Sequence, residues 1–200
     1  MKTTTHLSKL AEQGDPEAAF EIGHRMAFGK EYSKSRPWKQ ICALWKIAAR
    51  KEHIRAMYYL GTCYDNGFGI RRNLKSAYNW YSKAAKLGHR DSQYNIGTFY
   101  RNGEVVEKNY KKMVYWFKLA ANKGLTDAQR DLGYCYFYGE GTKKDEKIAV
   151  FWYKKAALMN DRMALYNLSL CYKYGEGVNE SKRWANYYFT KAIKSGFRKH

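Results

Sequence analysis

The chain repeats itself every 36 residues, and this period constrains its fold more than any other feature. The middle of each unit holds a Leu-Gly or Ile-Gly pair, with serine in place of the last glycine: Gly61, Gly97, Gly133 and Ser169. A tyrosine follows three residues later in every unit: Tyr64, Tyr100, Tyr136 and Tyr172. A unit of this length buries its apolar face only against its neighbours, so the period predicts a solenoid.

Each unit is predicted to form two helices. The first ends one turn after the tyrosine at a glycine suited to a left-handed cap: Gly67, Gly103, Gly139 and Gly175. The second carries one apolar stripe at helical spacing, which in the second unit is Leu74, Ala77, Tyr81, Ala84 and Ala85. A glycine inside a helix costs stability, so the mid-helix glycines predict a close approach of two helix backbones.

These residues resemble the Sel-one-like repeat (SLR), a relative of the tetratricopeptide repeat. The shared pattern is A-x(3)-L-G-x(2)-Y-x(2)-G-x-G and then K-A-x(2)-W-Y-x-K-A-A-x(2)-G, and it covers nearly the whole chain. The resemblance implies an all-α fold, a right-handed α-solenoid superhelix, and a scaffold function. Val105 departs from the pattern because it replaces the second loop glycine, so we expect a different loop shape in that unit.

The repeat boundaries predict a single domain spanning residues 1–200, with about five helix-turn-helix repeats behind an N-terminal half-repeat. The predicted parts are a capping helix at 1–14 and repeats at 15–52, 53–88, 89–124, 125–160 and 161–200. Asp15 and Pro16 are a good N-cap and first-turn pair for the first full repeat. The loop at 27–37 lacks the Gly-x-Gly pattern, which fits either added specificity or a degenerate terminal repeat.

The cysteines favour reduced thiols. Cys63, Cys135 and Cys171 occupy equivalent repeat positions, which lie roughly 10 Å or more apart and therefore too far for a disulfide. Cys42 is expected to stand alone in a second helix. Together with the absence of a secretory signal pattern or a membrane-spanning apolar run, this predicts a cytoplasmic protein without membrane insertion. No nucleophile, phosphate-loop or metal-ligand pattern occurs, so the sequence predicts no enzyme, cofactor or metal.

The face of the first helices opposite the core is rich in tyrosine. Taking about 100° per residue, positions three before and one, four and five after the helix glycine point away from the buried stripe. The resemblance implies that this face lines a concave groove, and tyrosine and arginine are common binding hot spots. The candidate partner-binding residues are Tyr58, Tyr94, Arg101, Arg130, Tyr134, Phe137, Tyr138, Tyr166, Leu170, Lys173 and Tyr174. The alternative for any one of them is packing across neighbouring repeats.

Net charge is the second functional clue. The chain has 37 Lys and Arg against 18 Asp and Glu, a formal charge of +19. Many of these cations fall on second helices, including one row of equivalent positions: Lys75, Lys111, Lys147 and Arg183. Such a surface is either a solvated exterior or an attraction for acidic proteins, nucleic acid or anionic lipid.

Two function classes follow. The first is a non-enzymatic scaffold that binds a protein partner of acidic or mixed surface in its Tyr-rich groove. The resemblance allows an immunity protein that neutralises a bacterial toxin or effector domain, or a regulatory adaptor. The second is single-stranded nucleic-acid binding, in which lysines hold phosphates and exposed aromatic rings stack on bases.

Overall fold

The structure of the chain is a computed structural model that describes residues 4–32 and 35–198. Those residues form eleven α-helices and one short 3-10 helix, and none of them lies in a β-strand, which confirms the all-α prediction. The bounds are α1 Thr4–Glu12, α2 Pro16–Phe28, the 3-10 helix Lys30–Tyr32, α3 Trp38–Arg50, α4 Ile54–Asn66, α5 Leu74–Lys86, α6 Arg90–Asn102, α7 Tyr110–Asn122, α8 Thr126–Tyr138, α9 Glu146–Leu158, α10 Arg162–Tyr174 and α11 Lys182–Lys194.

The helices pack in chain order within two compact units, Met1–Ile96 and Gly97–His200. In the N-terminal unit α1 packs on α2, α2 on α3, α3 on α4 and α4 on α5. In the C-terminal unit the same succession runs from α7 to α11. These helices therefore bury their apolar faces against their neighbours in the chain, as in an all-α helical repeat solenoid.

Helix ends follow the predicted chemistry. Asp15 is the N-cap of α2, and its carboxylate accepts a hydrogen bond of 2.7 Å from the Ala18 backbone N–H, with Pro16 in the first turn. Gly67, Gly139 and Gly175 end their helices in the left-handed region, at φ values of 75°, 74° and 72°. Val105 is not among the non-glycine residues with positive φ, which confirms that its loop differs from the Gly-x-Gly loops.

The mid-helix glycines lie where two helices approach closely, as predicted: a Cβ on Gly97 or Gly133 would lie 3.3 or 3.2 Å from a backbone carbonyl oxygen of the facing helix. They also make room for aromatic rings, which was not predicted. A Cβ on Gly133 would lie 2.6 Å from the ring of Tyr153, and one on Gly61 would lie 2.7 Å from Tyr81. The ring positions themselves recur along the second helices: Trp45, Tyr81, Phe117 and Tyr153, all almost fully buried. In the last unit, where Ser169 replaces the glycine, the equivalent Phe189 is 37% exposed. The glycine and the buried ring therefore occur together, because the ring occupies the space that a Cβ would fill.

Cys42 is the one cysteine of α3, as expected, and its thiol donates a hydrogen bond to the Phe68 carbonyl at 2.9 Å. Hydrogen bonding with the Cys63 thiol of α4 lowers the pKa of Cys42 and raises the pKa of Cys63, which burial raises further. All four cysteines are buried free thiols, as predicted.

Candidate partner-binding surface

Three neighbouring aromatic residues near the C-terminal end of α8 form an exposed cluster. Tyr134 and Tyr138 are 47% and 62% exposed, and their ring centroids lie 4.4 Å apart. The half-buried Phe137 packs edge-on against Tyr138, with centroids 5.0 Å apart at 68°. Successive exposed rings one turn apart on a helix offer a large contact area with two hydroxyl groups at its edge.

Arg130, one turn before Tyr134, joins two repeats through ion pairs. Its Nη1 donates to Asp127 at 2.7 Å and to Asp161 at 3.0 Å, while its Nε donates to Asp131 at 2.9 Å. Asp131 also accepts from Nη1 of Arg101 at 3.1 Å. Two guanidinium groups and three carboxylates therefore form one connected network.

Burial and the network act on Arg130 in opposite directions. Burial alone would lower its pKa, but the carboxylates of Asp131, Asp161 and Asp127 outweigh it, so the pKa of Arg130 is raised. Asp161 has a second role, because its other oxygen accepts from the Ala164 backbone N–H at 2.7 Å and caps α10. The arginine is fully charged at any physiological pH and is held in a fixed position.

A groove of about 500 Å³ lies between the network and the rings. It is lined by both tyrosines and arginines and by Asp131, Glu140, Met113, Phe117, Cys135, Met163 and Asn167. The pKa of Tyr134 is raised, first by its partial burial and then by the Glu140 carboxylate. An apolar floor with charged groups of both signs at its edge is typical of a binding site rather than of a solvated helix face.

The model of the Sel1 repeat matches four consecutive segments, residues 54–89, 90–125, 126–161 and 162–197. The chain belongs to the Sel1 repeat family. The Sel1 repeat is a protein–protein interaction scaffold, and proteins built from it are generally non-catalytic. Residues 15–52 lie outside the matched segments, so their assignment as a further repeat stays a prediction.

Solved structures of other Sel1 repeat proteins share the fold. A protective antigen present in uropathogenic Escherichia coli strains, which displays an SLR fold, superposes with a TM-score of 0.90 at 32% identity. That match covers 98% of this chain and 42% of the antigen. A Sel1 repeat protein from Oxalobacter formigenes superposes with a TM-score of 0.86 at 31% identity, over 97% of this chain and 79% of the other.

Two further matches are more limited, one in length and the other in sequence identity. Protein SHC1 of Saccharomyces cerevisiae is 32% identical over 79 residues, which are 40% of this chain and 15% of the yeast protein. The chain thus spans less than half the length of the antigen and a small part of the yeast relative. An immunity protein from Pseudomonas aeruginosa shares the fold at 21% identity and a TM-score of 0.57, with 91% of this chain and 65% of that protein covered.

The other predicted site residues differ in what they contact. Tyr58 is half-buried and stacks on His89 with centroids 4.6 Å apart, and Tyr166 stacks on Phe197 at 4.2 Å. Tyr94 and Leu170 are half-buried, whereas Lys173 and Tyr174 are exposed. The structure therefore brings Arg101, Arg130, Tyr134 and Tyr138 together around one groove, while Tyr58 and Tyr166 pack within the Sel1 repeats.

Sequence analysis missed the acidic members of the site. Asp127, Asp131 and Asp161 surround Arg130, and Glu140 and Met163 line the groove. The spacing of Asp127, Arg130 and Asp131 within one turn was a usable signal, since residues three or four apart on a helix are neighbours. Asp161 gave no such signal because it lies 31 residues beyond Arg130 in the chain.

Among residues 4–32 and 35–198, no helix is long and apolar enough to cross a membrane. Within the same residues, no three His, Cys, Asp or Glu side chains are grouped so that they could hold a metal ion.

Proposed function

We propose that this Sel1 repeat protein binds a protein partner on the first-helix face of its C-terminal unit, centred on Arg130, Tyr134 and Tyr138. The observation that carries the proposal is the pair of exposed, adjacent tyrosine rings beside a charge network and above a groove of about 500 Å³. Exposed tyrosine costs little conformational entropy when it is immobilised, and it is enriched among residues whose truncation abolishes binding.

The charges of the site favour a partner segment of mixed character. Two guanidinium groups face Asp127, Asp131, Asp161 and Glu140, so the groove has no excess of positive charge although the chain carries +19. Because the charged groups of the site already pair with each other, a partner side chain that binds here displaces water without needing a charge of its own. This favours aromatic or long aliphatic side chains flanked by polar groups. We place this interaction in the cytoplasm as part of the same proposal, since all four thiols are unpaired.

Photo-crosslinking in the native cell tests the surface directly. We expect p-benzoylphenylalanine at position 138 to crosslink one discrete protein, because this side chain is exposed at the edge of the groove. The matched control is the same substitution at Tyr115, which is 58% exposed on a second helix and should not yield that product. The identity of the crosslinked protein separates a toxin or effector domain from a regulatory protein.

The double variant Tyr134→Ala and Tyr138→Ala should lose capture of that protein while its melting temperature stays within about 3 °C of wild type, since neither ring belongs to the core. Retained capture in the double variant would contradict the proposal. So would crosslinking of the same protein from position 115 as efficiently as from position 138.

A further inference from the structure

A second row of exposed rings lies on the second helices of the C-terminal unit. Tyr115 in α7, Phe151 in α9 and Tyr187 in α11 are spaced 36 residues apart and are 58%, 51% and 50% exposed. We call these three residues the second-helix aromatic row. Rings that recur at one repeat position without entering the core are available for contact with another molecule.

Each ring of the second-helix aromatic row is held in the same way. It packs edge-on against the ring of the next residue, which is Trp116, Trp152 or Tyr188. The centroid distances are 5.3, 5.1 and 5.1 Å, and the interplanar angles are 78°, 79° and 77°. Three rings with one shared local geometry are pre-oriented, so a ligand that stacks on them pays little to order them.

Positive charge is concentrated on the same helices. Three Lys or Arg residues lie in α7, three in α9 and four in α11, ten in all, against one carboxylate, Glu146. That carboxylate already pairs with Lys144 at 2.8 Å. The first helices α8 and α10 together carry three cations and two carboxylates, which is close to neutral. The second-helix face therefore offers a strong positive potential that the tyrosine groove lacks.

The cations are in register with the rings. An exposed cation precedes each ring by four residues: Lys111, Lys147 and Arg183. Another follows each ring by three or four residues: Lys118, Lys154 with Lys155, and Lys191. Residues three or four apart share a helix face, so every ring has cations on both sides along its helix. The Lys155 ammonium, for example, lies 5.1 Å from the centre of the Phe151 ring.

Rings and cations also meet in a shallow groove of about 480 Å³ between α9 and α11. Four of its nine lining residues are aromatic and three are lysines, and the other two are Ala157 and Leu158. Trp184 and Tyr187 line it from α11, with their rings 5.5 Å apart and nearly perpendicular. Planar apolar surface and ammonium groups therefore face the same volume.

We propose that this second-helix face binds single-stranded nucleic acid, with bases stacked on the exposed rings and phosphates held by the flanking lysines and arginine. A base has a phosphate on each side of it along the strand, which matches a ring with cations before and after it. An anionic bilayer is a poorer fit, because the rings share their helix face with the cations, whereas a helix that lies in a membrane surface separates its apolar face from its charged one. An acidic protein would not require three rings in one repeated orientation.

Fluorescence anisotropy with a fluorescein-labelled 20-nucleotide oligothymidine tests the proposal, using the full chain between 50 and 200 mM salt. Each phosphate contact contributes about −0.7 to the log–log salt slope for a single strand, so the seven flanking cations predict a slope of about −5. The ring variant replaces the whole row: Tyr115→Ala, Phe151→Ala and Tyr187→Ala. We expect binding to weaken by about tenfold for every ring that stacks, with the salt slope unchanged.

The charge variant removes the cation before each ring: Lys111→Gln, Lys147→Gln and Arg183→Gln. It should reduce the steepness of the salt slope by about 2, since three phosphate contacts are lost. A control of equal net charge changes exposed lysines on second helices of the N-terminal unit: Lys39→Gln, Lys75→Gln and Lys86→Gln. We expect the control to keep the affinity of the wild type within about twofold and to leave the salt slope unchanged.

Three results would overturn the proposal: an unchanged affinity of the ring variant, an equal loss of slope in the control, or tighter binding to phosphatidylserine-containing vesicles than to the oligonucleotide. Polyglutamate of matching charge should compete poorly. Effective competition by polyglutamate would mean that the face binds polyanions in general, and it too would contradict the proposal. Thermal melting checks that the ring variant is folded. Should it melt early, the three single ring variants provide the same comparison, since each replaced ring is about half exposed.

Discussion

Replacing Gly133 by alanine tests whether the mid-helix glycine exists to seat an aromatic ring. The new Cβ would lie 2.6 Å from two carbons of the Tyr153 ring and 3.2 Å from the Ala149 carbonyl oxygen. Overpacking of this kind costs about 1–3 kcal/mol, and the better helix propensity of alanine returns about 1 kcal/mol. Because the ring is almost fully buried and has nowhere to move, we expect a net loss of about 1–2 kcal/mol.

Urea unfolding followed by circular dichroism measures this loss, and a double-mutant cycle assigns it to the ring. In a Tyr153→Leu background the clash is gone, so Gly133→Ala should become neutral or stabilise by up to about 1 kcal/mol. Gly124→Ala is the comparison variant: nothing lies within 4 Å of its Cβ and its φ of +78° alone adds strain, so its cost should be the same in both backgrounds. An equal cost of Gly133→Ala in both backgrounds would refute the reasoning.

Two further predictions concern charge. Arg130→Ala should lower the free energy of unfolding by about 1–3 kcal/mol, since it removes the cation that pairs with Asp127 and Asp161 and leaves Asp131 with Arg101 alone, at a site that is only partly exposed. Arg101→Ala, with one ion pair and greater exposure, should cost less than about 1 kcal/mol, and equal losses in urea unfolding would contradict this difference. Burial, followed by the charge of Arg55, lowers the pKa of His24 below 6.5. The folded state then binds fewer protons than the unfolded chain, so stability should fall as pH decreases below about 6.5. His24→Asn should flatten that part of the melting temperature profile measured from pH 7.5 to 5, and an unchanged slope would argue against the assignment.

The repeat architecture was predictable because it rests on backbone chemistry that recurs. Glycines at helix ends and an N-cap such as Asp15 act within a few residues, so their sequence spacing is enough to place them. The partner of a mid-helix glycine was not predictable in the same way. Gly133 and Tyr153 are twenty residues apart. The low helix propensity of glycine indicates a close contact at Gly133 but does not tell which side chain makes it.

The candidate sites were predicted only in part, for a related reason. Counting about 100° per residue found Tyr134 and Tyr138, which the structure leaves exposed, but it also selected Tyr58 and Tyr166, which pack against His89 and Phe197. Periodicity gives the direction of a side chain and not the neighbour that meets it. The second-helix aromatic row was overlooked because lysines dominate those helices, and the sequence does not distinguish an exposed ring from a core one.

The two carboxylate oxygens of Asp161 accept different hydrogen bonds: Oδ1 accepts from the first turn of α10, and Oδ2 accepts from Arg130 in α8. Detachment of the last helix pair would therefore cost the chain a helix cap and an ion pair in the same event. Unfolding that starts at the C-terminal end would therefore have to break both interactions of Asp161 together, instead of advancing one turn at a time.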